Sequence, residues 1–293
     1  MIALIKNPGA GSVEEDTDTQ LHKALSDANT EFELFEDDNP SSAADAAIAK
    51  GHTHMCACGG DGTVAGVVNS ILRSGKDDLK LAIIPLGTGN LIATALGIPT
   101  KIEDAVKIAA ENTSKKVDVG KIENEYFLLG LGIGATETFV TETSGALKEK
   151  LGRLAYIASL FKSTREPLFE LEIETDGQRT VTKAEAVTLA NYWGTRTVEM
   201  IEGTADDDGA MECLVNHRLT IPTLFRLAIR GLMGKVRHDS DVDFFRGSRF
   251  VIRTTPALPV QLDGNETKIE TPIEVLVLQQ AIAVTAPSSI ADR

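Results

Sequence analysis

Residues 53–73, THMCACGGDGTVAGVVNSILR, decide how the rest of the chain is read. Residues 53–58 form an apolar run of strand length, and residues 63–73 carry their apolar side chains at helical spacing. Gly59-Gly60-Asp61-Gly62-Thr63 joins the two. Glycines let a backbone approach an anion closely, the following helix offers unpaired N–H groups, and Thr63 adds a hydroxyl. Asp61 would repel bare phosphate, so it makes best sense with a cation bridging it to the ligand. The same residues would also serve as a tight strand-to-helix turn with an Asp cap, and the loop alone does not choose between the two.

Working outward, the first third of the chain alternates strand-like and helix-like runs. Residues 2–6 read as a strand, 14–28 as a helix with an acidic first turn, 31–36 (EFELFE) as a half-exposed strand and 41–50 as an Ala-rich helix. Residues 81–84 are again a strand, and a helix starts at about Asn90. This order predicts an α/β domain, doubly wound and mainly parallel, over residues 1–117. Such sheets bind ligands beyond the carboxyl ends of their strands. From residue 118 the pattern becomes many short strands: 126–131, 168–175, 181–190, 211–215, 249–254, 260–262 and 273–278. Helical interruptions fall at about 146–162 and 221–232. A second, β-rich, sandwich-like domain over 118–280 is expected, with a hinge at 112–118 (NTSKKVD) and a tail, 281–293, returning to the first domain.

Two further loops follow strands of the first domain: Pro85-Leu86-Gly87-Thr88-Gly89-Asn90 and Asn7-Pro8-Gly9-Ala10-Gly11-Ser12. Each alone could be a turn. Three at one end of one sheet would build a single polyphosphate pocket, which favours nucleotide binding. None fits the P-loop pattern, so phosphoryl transfer of another lineage is indicated.

Composition sets the outer limits. The chain has 293 residues, 29 Lys+Arg and 43 Asp+Glu, for a formal net charge of -14. Its 42% hydrophobic and 25% charged residues are those of a globular protein, which excludes intrinsic disorder. The acidic excess argues against a general nucleic-acid partner, whose phosphates call for Lys and Arg. Cys56, Cys58 and Cys213 make no disulfide framework and suggest a reducing, cytoplasmic setting. Cys56 and Cys58 lack the second ligand pair of a zinc site and read as small buried strand residues. No stretch has the length of a transmembrane helix or the form of a signal peptide.

NPGAG, GGDGT and PLGTGN together resemble the diacylglycerol kinase catalytic family, bacterial lipid kinases related to sphingosine kinases and sharing a fold with NAD kinases. The resemblance continues through Val117-Asp118-Val119-Gly120, residues 127–134, GRLAYI at 152–157, Asn191, ADDDG at 205–209 and Leu262-Asp263-Gly264. It implies an ATP site between two domains, with Asn7, Pro8, Gly9, Ala10 and Gly11, Gly59, Gly60, Asp61, Gly62 and Thr63, and Gly87, Thr88, Gly89 and Asn90 around the nucleotide. It further implies Mg²⁺ near Asp61, supported by Asp118, and a second, structural Mg²⁺ held by Asp208 with carbonyls near Ala205 and Ala210. Without the resemblance, Asp206-Asp207-Asp208-Gly209 reads as a solvated acidic turn.

Three departures stand out. The family commonly places a basic residue after the first glycine loop, where Ser12 is followed here by Glu14, Glu15 and Asp16, so phosphate contacts there would come from backbone alone. Leu91 stands where many members have Asp, and related subgroups share it. The motif Asp-Gly-Glu, whose Glu is the proposed base, reads Asp263-Gly264-Asn265-Glu266 here. An amide cannot accept the substrate proton. Asp263, on the same face as residue 265 in an extended chain, is the first alternative base; Glu266, the second, would point the other way unless a turn or bulge shifts the register, for which Asp-Gly-Asn is a plausible place. Phosphoryl transfer also rests heavily on positioning and on metal stabilisation of charge.

A lipid acceptor predicts a membrane-facing surface. Residues 216–238, NHRLTIPTLFRLAIRGLMGKVRH, hold five Lys/Arg and no Asp or Glu, as suits an anionic bilayer, or else form an ordinary packing helix with a solvated basic face. Residues 146–165 are a weaker second candidate. Gly130-x-Gly132-x-x-Ala135 matches a dinucleotide fingerprint formally but lies outside a βαβ unit, and reads as close packing. The sequence thus predicts a cytoplasmic, peripherally membrane-associated lipid kinase using ATP and Mg²⁺, with homodimerisation open. The rivals are a kinase of the same fold acting on a soluble substrate, and a catalytically weak nucleotide- or lipid-binding regulator.

Overall fold

A computed structural model of the protein describes residues 1–8, 15–111, 113–134, 168–191, 194–195, 198–199, 205–220, 223, 226–227, 229–230, 235–236 and 239–287. These fall into two compact units, one made of the described residues of Met1–Val119, Glu125–Leu128 and Gln279–Arg293, the other of Gly120–Asn124 and Leu129–Leu278.

In the first unit the chain runs β1 (Ile2–Lys6), α1 (Glu15–Asp27), β2 (Phe32–Glu36), α2 (Pro40–Ala49), β3 (His54–Gly59), α3 (Asp61–Arg73), β4 (Lys80–Pro85), α4 (Leu91–Ala95) and α5 (Ile102–Glu111). β1 pairs in parallel with both β2 and β3, and β3 pairs in parallel with β4. α1 packs with α5 and α2 with α3, so helices cover the sheet in two layers, as a doubly wound order requires. Buried Leu4, Ile5, Met55, Cys56, Leu81 and Ile84 form the centre, where parallel strands covered on both faces read as unbroken apolar runs. α5 is the helix the sequence reading omits. Its signature is present, with Glu103 and Asp104 in the first turn and Ala105, Val106 and Ala109 buried.

From Ser114 onward the segment expected as a hinge, 112–118, is a strand, β5 (Ser114–Ile122), followed by β6 (Glu125–Phe127), and the first stretch of the first unit ends at Val119. Val117, Asp118 and Val119 are all fully buried.

The second unit contains β7 (Gly130–Gly134), β8 (Phe169–Thr175), β9 (Gln178–Ala184), β10 (Ala186–Ala190), a two-residue pair β11 (Gly194–Thr195) and β12 (Val198–Glu199), β13 (Met211–Asn216), β14 (Val242–Gly247), β15 (Arg249–Thr255), β16 (Pro259–Leu262), β17 (Asn265–Glu270) and the first part of β18 (Ile273–Thr285). One antiparallel sheet has the order β14-β13-β10-β7-β16-β17. In the other, β15 lies between β18 and β8, and β9 hangs on the outside of β8. The run 181–190, one strand by its sequence, is two strands broken at Glu185, because β9 pairs with β8 while β10 pairs with β7 and β13. The later part of β18 runs parallel to β4 in the first unit, with Ala283 opposite Lys80. The fold class is therefore the expected one, a parallel-rich α/β sheet with a separate antiparallel unit.

Candidate active site

Parallel pairing aligns the carboxyl ends of the first three site strands. Lys6 stands opposite Cys58, and Gly59 opposite Pro85, so the loops after β1, β3 and β4 leave the sheet together. The turn after β3 is tighter than the sequence suggests: Gly60 alone separates the strand from α3, which begins at Asp61 rather than Thr63. Asp61 and Gly62 thus lie in the first helical turn, where a carboxylate also complements the helix dipole.

The β3–α3 and β4–α4 loops touch backbone to backbone. A Cβ placed on Gly87 would stand 2.4 Å from the Cα of Gly60. Leu86 N–H donates to the Gly59 carbonyl at 3.0 Å and ties the loops at their roots. Asp61 ties them again, its Oδ1 accepting the Ile92 N–H at 2.9 Å in the first turn of α4. Such a cradle, filled by any side chain at Gly87, fits the close approach of a polyphosphate. Asp61 is the sole acidic residue within the two loops. A nucleotide-bound Mg²⁺ characteristically takes one or two protein carboxylates, so this donor set also fits.

Several predicted contacts have structural duties. Asn90 sits in the left-handed region at φ 49. Its Oδ1 accepts from Gly87 N–H at 3.0 Å and its Nδ2 donates to the Gly87 carbonyl at 2.6 Å, so its amide braces its own loop. Thr63 is buried beneath Gly59, where an added Cβ would meet its Oγ1 at 2.3 Å. Thr88 and Gly89 complete the loop beside Asp61. Asn7 donates from Nδ2 to the Asp38 carbonyl at 2.9 Å, and Pro8 is exposed. Gly9, Ala10 and Gly11 lie outside the described residues. Asp118 is fully buried, its Oδ1 accepting at 2.7 Å from the N–H of Gln280, a residue at φ 49 within β18.

In the second unit the Asp263–Gly264 pair is a two-residue hairpin turn, φ 49 and 77, with Leu262 opposite Asn265. This corrects the extended-chain reading that put Asp263 on one face with residue 265: two successive positive φ angles reverse the chain, the geometry that Asp-Gly favours. Asp263 is buried, and its Oδ1 accepts from Leu129 N–H at 2.7 Å and Gly130 N–H at 3.0 Å. Glu266 is exposed and stands opposite Gln261. The register shift in this hairpin lies beyond Glu266, between Pro259 and Gln261 on the partner strand, and not at Asp263–Asn265. Gly130 lies in the middle of an antiparallel sheet, where a Cβ would meet the Leu189 carbonyl at 2.4 Å, the close packing expected there.

The residues expected to hold a structural Mg²⁺ do not fit that role. Asp208 Oδ1 accepts the Ala210 N–H at 3.1 Å, and its Oδ2 is bonded to the Arg246 guanidinium. Arg246 Nε also donates to Glu212 Oε1 at 3.0 Å. Burial raises the Glu212 carboxyl to about 7, against the opposing pull of Arg246. Among the described residues no three His, Cys, Asp or Glu gather as metal ligands. Sequence reasoning does not reach Arg246 and Glu212, because β14, VDFFRG, sets two Phe side by side and shows no period-2 pattern.

The basic face expected at 216–238 is also changed. Arg226 makes a bidentate pair with buried Asp239, Nε to Oδ2 at 2.6 Å and Nη2 to Oδ1 at 2.8 Å, and bonds Asp241 as well. Arg230 approaches Asp239 at 3.2 Å, and Leu227 packs on Leu214, Val236 and Val242. Acids from residues 239–241, just beyond the segment, thus neutralise two of its cations. The other candidate, 146–165, lies outside the described residues. No helix among the described residues is long and apolar enough to cross a membrane.

Residues 1–122 match the diacylglycerol kinase catalytic domain, which with this fold makes the chain a kinase that transfers phosphate to an alcohol group. The diacylglycerol kinase of Staphylococcus aureus strain RF122 is 30% identical over 254 residues, covering 84% of this chain and 78% of that one. The diacylglycerol kinase of Bacillus subtilis strain 168 is 28% identical over 249 residues, covering 82% and 79%. The crystal structure of a diacylglycerol kinase from Bacillus anthracis Sterne superposes with a TM-score of 0.77 at 26% identity, covering 99% of this chain and 98% of that one. The chain belongs to the diacylglycerol kinase family, and membership implies use of ATP.

Proposed function

We propose that the protein is an ATP-dependent lipid kinase, phosphorylating a hydroxyl of a diacylglycerol-like or related membrane lipid. The observation that carries the nucleotide part is the contact of Gly60 with Gly87, which leaves a backbone cradle where two strands end and α3 begins. The lipid part is supported by the relatives from S. aureus and B. subtilis, both named diacylglycerol kinases.

ATP would be held by Gly60, Asp61, Gly62, Gly87, Thr88 and Gly89, with Asn7 through Gly11 alongside, and supplies the phosphoryl group with its Mg²⁺ spreading the developing charge. The first turn of α3 directs its N–H groups toward negative charge. Asp61 fixes the two loops to each other through Ile92 N–H and presents the carboxylate that a Mg²⁺ would meet. Thr63 and Asn90 shape the two turns from beneath. In the second unit Asp263, aimed by the Leu129 and Gly130 amides, is the first candidate to take the proton of the lipid hydroxyl, and Glu266 is the second. A lipid acceptor places the working enzyme at a membrane surface, and three buried free cysteines suit the cytoplasmic side.

The test is an assay of phosphate incorporation into diacylglycerol, phosphatidylglycerol, ceramide and sphingoid bases in mixed micelles. Incorporation into one of them supports the proposal. ATP binding without incorporation into any lipid would replace it with a regulator reading.

A further inference from the structure

We infer that Arg246 performs, in this chain, the task that a structural divalent cation would perform at the 205–210 loop. Asp206, Asp207 and Asp208 are consecutive, and Glu212 follows with 1% of its surface exposed. Glu212 is buried beside these acids, and a buried carboxylate calls for a compensating cation. The sheet supplies one. Glu212 and Arg246 are direct cross-strand partners on β13 and β14, so their side chains leave the sheet on the same face. The planar guanidinium reaches Glu212 through Nε and Asp208 through Nη2, binding strand and loop with one group. Arginine suits this task because its fork spans two carboxylates and keeps its charge at every working pH.

The arrangement also works against a metal. Asp208 Oδ1 closes a turn onto the Ala210 N–H while Oδ2 receives Arg246. A Mg²⁺ taking Oδ2 would have to displace the guanidinium, leaving the Glu212 carboxylate buried without its counter-charge. The loop before β13 is therefore held by the protein's own cation.

Amide hydrogen exchange across residues 205–216, on the full-length protein without nucleotide, tests this directly. In the wild type, exchange there should be the same in EDTA and in millimolar Mg²⁺. Arg246→Ala should speed it about tenfold or more, with Arg246→Lys intermediate because it keeps the charge and loses the fork. Should Arg246→Ala fail to fold, Asp208→Asn should loosen the same amides. Slower exchange in wild type on adding Mg²⁺ would overturn the inference, as would exchange unaltered by the arginine or aspartate substitutions.

Discussion

Gly60 and Gly87 face each other backbone to backbone, a Cβ on Gly87 coming within 2.4 Å of the Gly60 Cα but one on Gly60 only within 3.3 Å of the Gly87 Cα. The two positions are unequal for that reason. Gly87→Ala must push the loops apart, at about 1–3 kcal/mol of overpacking, and should raise the KM for ATP at least tenfold. Gly60→Ala should do markedly less. Steady-state kinetics at varied ATP, with denaturant melts, separate the two, and equal behaviour of both variants would reject the packed cradle.

Asp61 combines a structural bond with a charge. Asp61→Asn keeps an oxygen for the Ile92 N–H and loses the charge, whereas Asp61→Ala loses both. The alanine variant should be less stable by about 1 kcal/mol, and the asparagine variant near wild type. Turnover should fall by at least 100-fold in each. Full activity of Asp61→Asn would reduce this residue to a loop tie.

Asp263 should show a similar division. Removing the acceptor of two backbone N–H groups in Asp263→Ala should cost about 1–3 kcal/mol. Asp263→Asn preserves an acceptor and should fold, while kcat drops by about 10²–10⁴-fold if the carboxylate takes the proton. Glu266→Gln, at an exposed position, should be mild. The reverse order would move the base to Glu266, and two mild effects would reject both.

His54, largely buried beside Lys80 on the neighbouring strand, has its pKa pushed down to about 4, chiefly by burial. The folded protein resists protonating it more than the unfolded chain does. Its contribution to stability is therefore complete above the ordinary histidine range near 6.5 and is lost as pH falls from there through 4. Urea melts across this range should show wild type weakening toward acid and His54→Gln losing less. Parallel pH profiles would remove His54 as a source of the acid sensitivity.

Much of this was legible because parallel strands announce themselves locally. The runs at 2–5, 55–58 and 81–84 are apolar, and each is followed within a few residues by a glycine. Strands β14 and β17 are not legible, since VDFFRG has a charge on each face and no alternation, and NETKIE carries its charges on one exposed face without a long apolar run. With β14 unread, the partnership of Arg246 with Glu212 could not be foreseen. Asp263 shows the other limit: its partners Leu129 and Gly130 lie 134 and 133 residues away, and a turn whose side chain is fixed at that separation looks like any Asp-Gly hairpin. The same holds for Arg226, whose basic character reads as a surface until Asp239 is placed against it.

Transfer of phosphate from ATP to a lipid hydroxyl is tested by following labelled γ-phosphate of ATP with wild type and Asp61→Asn in parallel. Reactions containing diacylglycerol in mixed micelles are extracted, and label is counted in the organic and aqueous phases. Lipid-phase label should grow with time in wild type and be reduced at least 100-fold in the variant. Label confined to aqueous products, or equal lipid labelling by both proteins, would contradict it.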